Sequence, residues 1–265
     1  MKVFITGGEG NLGKCLVKNF PKNYELRYPT KDECDILNSG DIFYELDTFK
    51  PDIIIHLAAF VDTLGCESNK IKAIDMNVLG TINLVKASSH LNCKFVYVSS
   101  EYVFKGDKGN YTINDRLNPT NVYGKTKASA EYIASILDNY QIIRAPFIKK
   151  QYDKVFTNQF CSRYFLEDVI DKIIDNIINN DSSIVHIANE KKSLYEHYIS
   201  KGLNPEPIEI PKEMENLIRL HAKDYIIFRV PQLIGNCGNS NNLINYLVDK
   251  IKAGKSFEVY DNLRR

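Results

Sequence analysis

The sequence predicts an α/β protein built on a doubly wound parallel sheet. Three observations predict it. Apolar strand patterns alternate with helical ones through the first 150 residues, and a glycine cluster joins the first strand to the first helix. The central apolar runs are also rich in β-branched residues, as expected of parallel strands buried on both faces. A chain of 265 residues, 44% hydrophobic and 25% charged, is long enough for a substantial core and too apolar for disorder.

Lys2–Thr6 reads as a strand that ends at the glycines, and Asn11–Phe20 has helical spacing with Leu12, Val17 and Phe20 apolar. Tyr24–Tyr28 follows as a second strand and Asp41–Phe49 as a helix. Asp52–Ala59 (DIIIHLAA) is a buried parallel strand, Ile71–Leu91 a long helix and Cys93–Ser99 another central strand. Val122–Leu137 is helical and Gln141–Arg144 a strand. Right-handed crossovers are expected between the parallel strands. The second half is less regular. Leu166–Asn179 has strong helical periodicity, Ser183–Ala188 is a strand, and Lys191–Gly202 is a helix ending at its glycine. Pro205, Pro207 and Pro211 then limit Ile208–Ile210 to a short edge strand.

A net charge of +1 gives no electrostatic reason to expect a nucleic-acid partner. No apolar run reaches the ~18–20 residues of a membrane span, so no membrane partner is expected. The start, MKVFITGGEGNLG, enters a strand at once and lacks the pattern of a signal peptide. The expected location is the cytoplasm. Cysteines at 15, 34, 66, 93, 161 and 237 form no CxxC, and the five histidines no HExxH. Reduced thiols and no metal site are expected.

Three motifs carry chemistry. The first is Thr6-Gly7-Gly8-Glu9-Gly10-Asn11-Leu12-Gly13, between a strand and a helix. Gly7 permits the tight turn, Gly10 lets the backbone approach a pyrophosphate, and Gly13 allows close helix–strand packing. The helix N-terminus, at Asn11 and Leu12, faces the phosphates. The second is Tyr123-Gly124-Lys125-Thr126-Lys127. Residues i and i+4 share a helix face, and an ammonium beside a phenol favours phenolate, which lowers the tyrosine pKa and suits it to proton transfer. The third is Ser99-Ser100 at the end of a strand, where parallel sheets bind ligands. A Ser100 hydroxyl there can hold a carbonyl oxygen beside the Tyr123 hydroxyl.

Together with HLAA at 56–59 and the Asp75–Thr81 stretch, these motifs resemble the extended short-chain dehydrogenase/reductase superfamily. SSEYVFKGDKGNYTINDRLNPTNVYGKTK is similar to the STDYVFDGxxGxYxExDxxxPxNxYGxSK segment of the dTDP-4-dehydrorhamnose reductase branch, and the resemblance runs from Met1 to about Arg219. It implies a Rossmann-like domain over 1–150, a small substrate-binding lobe over 151–220 and an atypical segment over 221–265. It implies Tyr123 as general acid, Lys127 as its activator and ribose ligand, and Ser100 as the partner at the carbonyl. Asp35 and Ile36 would meet the adenine. Leu57, Ala58 and Ala59 would line the cofactor groove, and Asn77 would support it. Glu101, Tyr102 and Asn121 would bind substrate. The branch usually has Thr-Asp where this chain has Ser100-Glu101, and the longer Glu101 would crowd the pocket. Tyr102 stands where dehydratases of the superfamily carry a carboxylate, which argues against dehydration.

The acidic residue expected after the second strand is missing as far as Lys31, and Arg27 and Lys31 could meet a 2′-phosphate instead. NADPH is therefore the expected cofactor, with NADH the alternative. The implied activity is reduction of the C4 carbonyl of a 4-keto-6-deoxy sugar nucleotide, with a homodimer as the possible assembly. Two rivals stand beside it. One is a sugar-nucleotide 4-epimerase with tightly held NAD. The other is a non-catalytic NADP-binding subunit resembling the regulatory subunit of methionine adenosyltransferase.

Tyr225–Gly235 (YIIFRVPQLIG) nearly repeats Gln141–Ile148 (QIIRAPFI). A sheet of this type has one slot for that strand, and Gln141–Pro146 directly follows the Tyr123 helix. Residues 225–265, which resemble a mid-domain piece of another extended short-chain sugar-nucleotide enzyme, are therefore expected outside the slot, without a catalytic residue. A genuine appended segment, a duplication remnant and a truncated reading frame all remain open.

Overall fold

The computed structural model describes residues 1–107, 109–148 and 152–209. Five strands, β1 (Lys2–Thr6), β2 (Glu25–Arg27), β3 (Ile53–His56), β4 (Lys94–Ser99) and β5 (Tyr140–Arg144), join a sixth, Ile184–His186, in one sheet. Its order is Ile184–His186, β5, β4, β3, β1, β2, and every pairing is parallel. β1 has β2 on one side and β3 on the other, so the winding reverses at β1. Ligands of such sheets sit at that reversal, outside the carboxyl ends of the strands.

The strand sequences explain the two-sided burial. Val3, Ile5, Ile53, Ile55, Val96 and Ile143 share one core with Leu16 and Phe20 and the apolar side of α7 (Leu166–Asn179), while α1 spans Asn11–Asn19. Their neighbours Phe4, Ile54, Phe95, Tyr97 and Ile142 point the other way, as the period of two requires. They meet Ile42 and Leu46 of α2 (Ser39–Phe49), and further helices on that face. In α7, Leu166, Val169, Ile170, Ile173, Ile174 and Ile177 are all buried, at the three-and-four spacing of an amphipathic helix.

Between β3 and β4 lie α3 (Thr63–Ser68), α4 (Lys70–Ile74) and α5 (Gly80–Ser88), then β4 leads to α6 (Val122–Ala134). The long helix expected over Ile71–Leu91 is thus interrupted: α4 and α5 are joined by a π-helical turn at Asp75–Leu79. A second difference concerns the division at residue 150. The strand Ile184–His186 pairs with β5 and α7 covers the sheet, so the sheet takes elements from beyond 150.

The rest of 147–209 makes three small strand pairs. Phe147–Ile148 pairs with Tyr164–Phe165, Phe160–Cys161 with Lys192–Ser193, and Lys154–Phe156 with Glu206–Ile208. The last pair holds Pro207, two residues earlier than the edge strand expected at Ile208–Ile210, and a two-stranded edge tolerates its missing N–H. Helix α8 (Leu194–Ser200) starts at a reciprocal cap between Ser193 and Glu196. Ile148, Val155, Phe165, Leu194 and Tyr198 form the core of this lobe. Everything expected of residues 225–265 lies outside the described residues. Among the described residues, no helix is long and apolar enough to cross a membrane, and no group of three or more His, Cys, Asp or Glu could hold a metal ion.

Candidate active site

A cavity of about 370 Å³ opens at the carboxyl ends of β1, β3, β4 and β5. Its walls are the Thr6–Gly13 loop, Leu57–Ala59, Val98–Tyr102 and Ala145–Phe147, with Tyr123 and Lys127 from α6 and Arg163 from the lobe. Asp35 and Ile36 also line it.

The loop fits a pyrophosphate. Gly7 has φ +71°, and a Cβ there would lie 2.7 Å from the Ala58 nitrogen. A Cβ on Gly13 would lie 2.3 Å from the Gly7 oxygen. These two glycines let the loop, β3 and α1 close on one another. Gly10 is different: a Cβ there would meet only the Gly7 oxygen, at 3.2 Å. It is the residue before α1 and brings no side-chain cap, so the first N–H groups of the helix are left to a ligand at the cavity wall.

Gly124 brings α6 down onto the end of β4. A Cβ at that position would sit 2.2 Å from the Tyr102 oxygen, so the Tyr123 ring packs edge-on to Tyr102, with centroids 5.6 Å apart. Ser100 accepts from the Tyr102 N–H at 3.3 Å. Burial pushes the Tyr123 phenol well above its ordinary pKa, opposed by its hydrogen bond with the Ser100 side chain. The sequence expectation was a lowered value, through Lys127. The structure gives the reason it is not met. Lys127 is itself 3% exposed, and burial brings its pKa down to about 7. Its Nζ donates to the Val98 oxygen at 2.8 Å and lies 4.1 Å from the centre of the Tyr97 ring.

Glu101 lines the cavity and is held there by an ion pair. Arg163 Nε and Nη2 both donate to its Oε1, the first at 3.0 Å. Burial works against the Arg163 charge, but Glu101, Tyr102 and Cys161 together offset it and the guanidinium pKa is raised. Two expected site residues lie elsewhere. Asn121 caps α6, accepting from the Gly124 N–H at 2.7 Å, and is not in the cavity wall. Asn77 is also outside the wall. Its side chain accepts from the Phe60 N–H and donates to the Phe60 oxygen and to Thr126 Oγ1. Of the two cations expected near a 2′-phosphate, Arg27 is held by both oxygens of Glu45, at 2.9 Å each, and does not line the cavity. Lys31 does line it, 3.8 Å from Asp35.

Arg163 was not foreseen. It sits in irregular sequence, and its partner Glu101 is 62 positions away. The Ala145–Phe147 wall had a signal, since it follows the carboxyl end of a parallel strand.

The sequence pattern of the RmlD substrate binding domain matches residues 1–192. The chain belongs to that family. It is 33% identical over 180 residues to a dTDP-4-dehydrorhamnose reductase from Aggregatibacter actinomycetemcomitans, covering 66% of this chain and 61% of that protein. It is 30% identical over 165 residues to methionine adenosyltransferase 2 subunit beta of Rattus norvegicus, covering 58% of this chain and 49% of that one. The chain thus spans about half to three fifths of the length of these curated relatives. Among solved structures, dTDP-4-dehydrorhamnose reductase from Bacillus anthracis str. Ames in complex with NADP superposes with a TM-score of 0.72 at 25% identity, covering 79% of this chain and 84% of that one.

Proposed function

We propose that the chain is an NADPH-dependent reductase of a 4-keto-6-deoxy sugar nucleotide. The observation that carries this reading is that Ser100, Tyr123 and Lys127 line the same cavity as the glycine loop and the exposed N-terminus of α1. A nicotinamide dinucleotide held by these residues would supply the hydride that reduces the sugar C4 carbonyl. The chain does the rest. The loop and the start of α1 hold the pyrophosphate, Asp35 and Ile36 flank the adenine, and Lys31 meets the 2′-phosphate. Lys127 donates to the ribose. Tyr123 gives its proton to the carbonyl oxygen as negative charge develops there, and the Ser100 hydroxyl holds that oxygen. Glu101, fixed by Arg163, faces the sugar hydroxyls.

Burial raises the Tyr123 pKa, so the phenol is protonated near neutral pH, and this is the form that gives its proton to the carbonyl oxygen. The relatives named as dTDP-4-dehydrorhamnose reductases, one of them in complex with NADP, support the reductase reading. The similarity to methionine adenosyltransferase 2 subunit beta supports a second one, a non-catalytic subunit. A panel of 4-keto sugar nucleotides with NADPH and with NADH decides between them. The reductase reading expects loss of reduced-nicotinamide absorbance with at least one sugar. Tight NADPH binding without consumption on any of them favours the subunit.

A further inference from the structure

We propose that His56 and Thr81 are positioning residues, links in a buried hydrogen-bond chain that ties the glycine loop to the helix carrying Tyr123. The inference rests on the reductase reading for its consequence, but the chain of contacts is independent of it. Thr6 Oγ1 lies 2.7 Å from His56 Nδ1, and His56 Nε2 lies 3.0 Å from Thr81 Oγ1. Thr81 Oγ1 donates to the Asn77 oxygen at 2.8 Å. Asn77 Nδ2 donates to Thr126 Oγ1 at 2.9 Å, which in turn donates to the backbone carbonyl of Tyr123 at 2.8 Å. Thr6, His56, Asn77, Thr81 and Thr126 are each no more than 4% exposed.

Counting protons fixes every direction. Thr81 has one hydroxyl proton, and Asn77 takes it, so the Thr81 oxygen accepts from His56 Nε2–H. Burial, with Lys127 nearby, drives the His56 pKa down to about 3, so the ring is neutral and Nδ1 carries no proton. Nδ1 therefore accepts from the Thr6 hydroxyl, and the Thr6 oxygen is left to accept from the Ala58 N–H at 3.4 Å. At the other end Asn77 clamps both backbone groups of Phe60. The chain thus touches the turn after β1, the turn after β3 and α6, three walls of the cavity. Packing alone does not call for it. His56 ends a run of three buried isoleucines, and an aliphatic side chain would fill that place without polar groups to satisfy. A fully paired buried network instead selects one arrangement of its elements. The π turn at Asp75–Leu79 belongs to the same device, since it carries Asn77, whose carbonyl and side chain both enter the chain.

Thr81→Val removes the hydroxyl at nearly constant shape, and Thr81→Ser restores it. The Val variant is expected to lose turnover by about tenfold to a hundredfold, the scale of a small misplacement of reacting groups, at a temperature where both variants are folded. The Ser variant is expected to recover most of that loss. Equal turnover in the Val variant and wild type, or equal losses in the Val and Ser variants, overturns the proposal. Nitrogen-15 spectra of the wild-type histidines provide a second measurement. A neutral His56 protonated at Nε2 supports the chain, and a ring protonated at Nδ1 or exchanging between the two forms overturns it. If the wild type reduces no sugar nucleotide, the reductase reading fails, and the spectra judge the chain alone.

Discussion

Alanine at Gly13 would place its Cβ 2.3 Å from the Gly7 oxygen and 2.6 Å from the Gly8 Cα. Both are backbone atoms of the same tight loop, so α1 has to move off it. Overpacking of this kind costs about 1–3 kcal/mol, and at about 2–4 °C per kcal/mol for a chain of this size, the melting temperature falls by roughly 2–12 °C. Gly10→Ser is the contrasting change. Its backbone, φ −69° and ψ 168°, suits any residue, and its Cβ meets only one atom, at 3.2 Å. Serine is also the better residue at a helix start, by a few tenths of a kcal/mol, so melting of the free protein shifts by about 1 °C. The new side chain nevertheless occupies the approach to the N–H groups at the start of α1. NADPH affinity is expected to fall at least about tenfold, or about 1.4 kcal/mol. Thermal melts and calorimetric titration with NADPH read both quantities. A Gly10→Ser protein that binds NADPH like wild type removes the loop from the pyrophosphate site. A Gly13→Ala protein that melts like wild type removes the packing argument.

Tyr123→Phe is expected to lower turnover by about a hundredfold or more while NADPH titrations stay near wild type; retained turnover means another group is the acid. Lys127 has a folded pKa of about 7, below its ordinary 10.5, so between those values the unfolded chain holds a proton that the folded chain has released. Its contribution to stability is fully present above 10.5 and lost as pH falls towards 7, with a slope of up to about 1.4 kcal/mol per pH unit. Urea midpoints of Lys127→Met should exceed wild type most at pH 7 and below and converge with it by pH 10.5, and a constant difference contradicts the assignment. Glu131 and Arg144 form an ion pair with side chains 3% and 5% exposed. Glu131→Gln should cost about 3–5 kcal/mol because it strands a buried guanidinium, and a loss near zero by denaturant titration would show that the pair is not buried in solution.

The sheet was legible because its strands declare themselves. Ile53–Ile55 and Phe95–Val98 are continuous apolar runs, and their two-sided burial follows from that composition. The loop and the Tyr123–Lys127 pair were legible because their spacing is local. What stayed hidden depends on partners far along the chain. Asp75–Leu79 (DMNVL) has nothing in its composition to announce a π turn, and its Asn77 contacts, Phe60 and Thr126, are 17 and 49 positions away. Arg27 looks like a free cation until the fold sets Glu45 of α2 against it. The sign of the Tyr123 shift was hidden for another reason: spacing places Lys127 on the same helix face, but only the packed structure shows the burial that raises the phenol pKa. The strand Ile184–His186 could be read as a strand, yet its place beside β5 could not be read across the irregular sequence between them.

The most direct test of the account follows a label. The chain is incubated with a 4-keto-6-deoxy sugar nucleotide and NADPH carrying deuterium on the transferred position of nicotinamide C4. The product is then analysed by mass spectrometry and proton NMR. The account predicts one deuterium per product, at sugar C4, from the wild-type chain, and the same labelled product formed about a hundredfold more slowly or worse by Tyr123→Phe. A chain that binds NADPH and leaves every sugar unlabelled contradicts it.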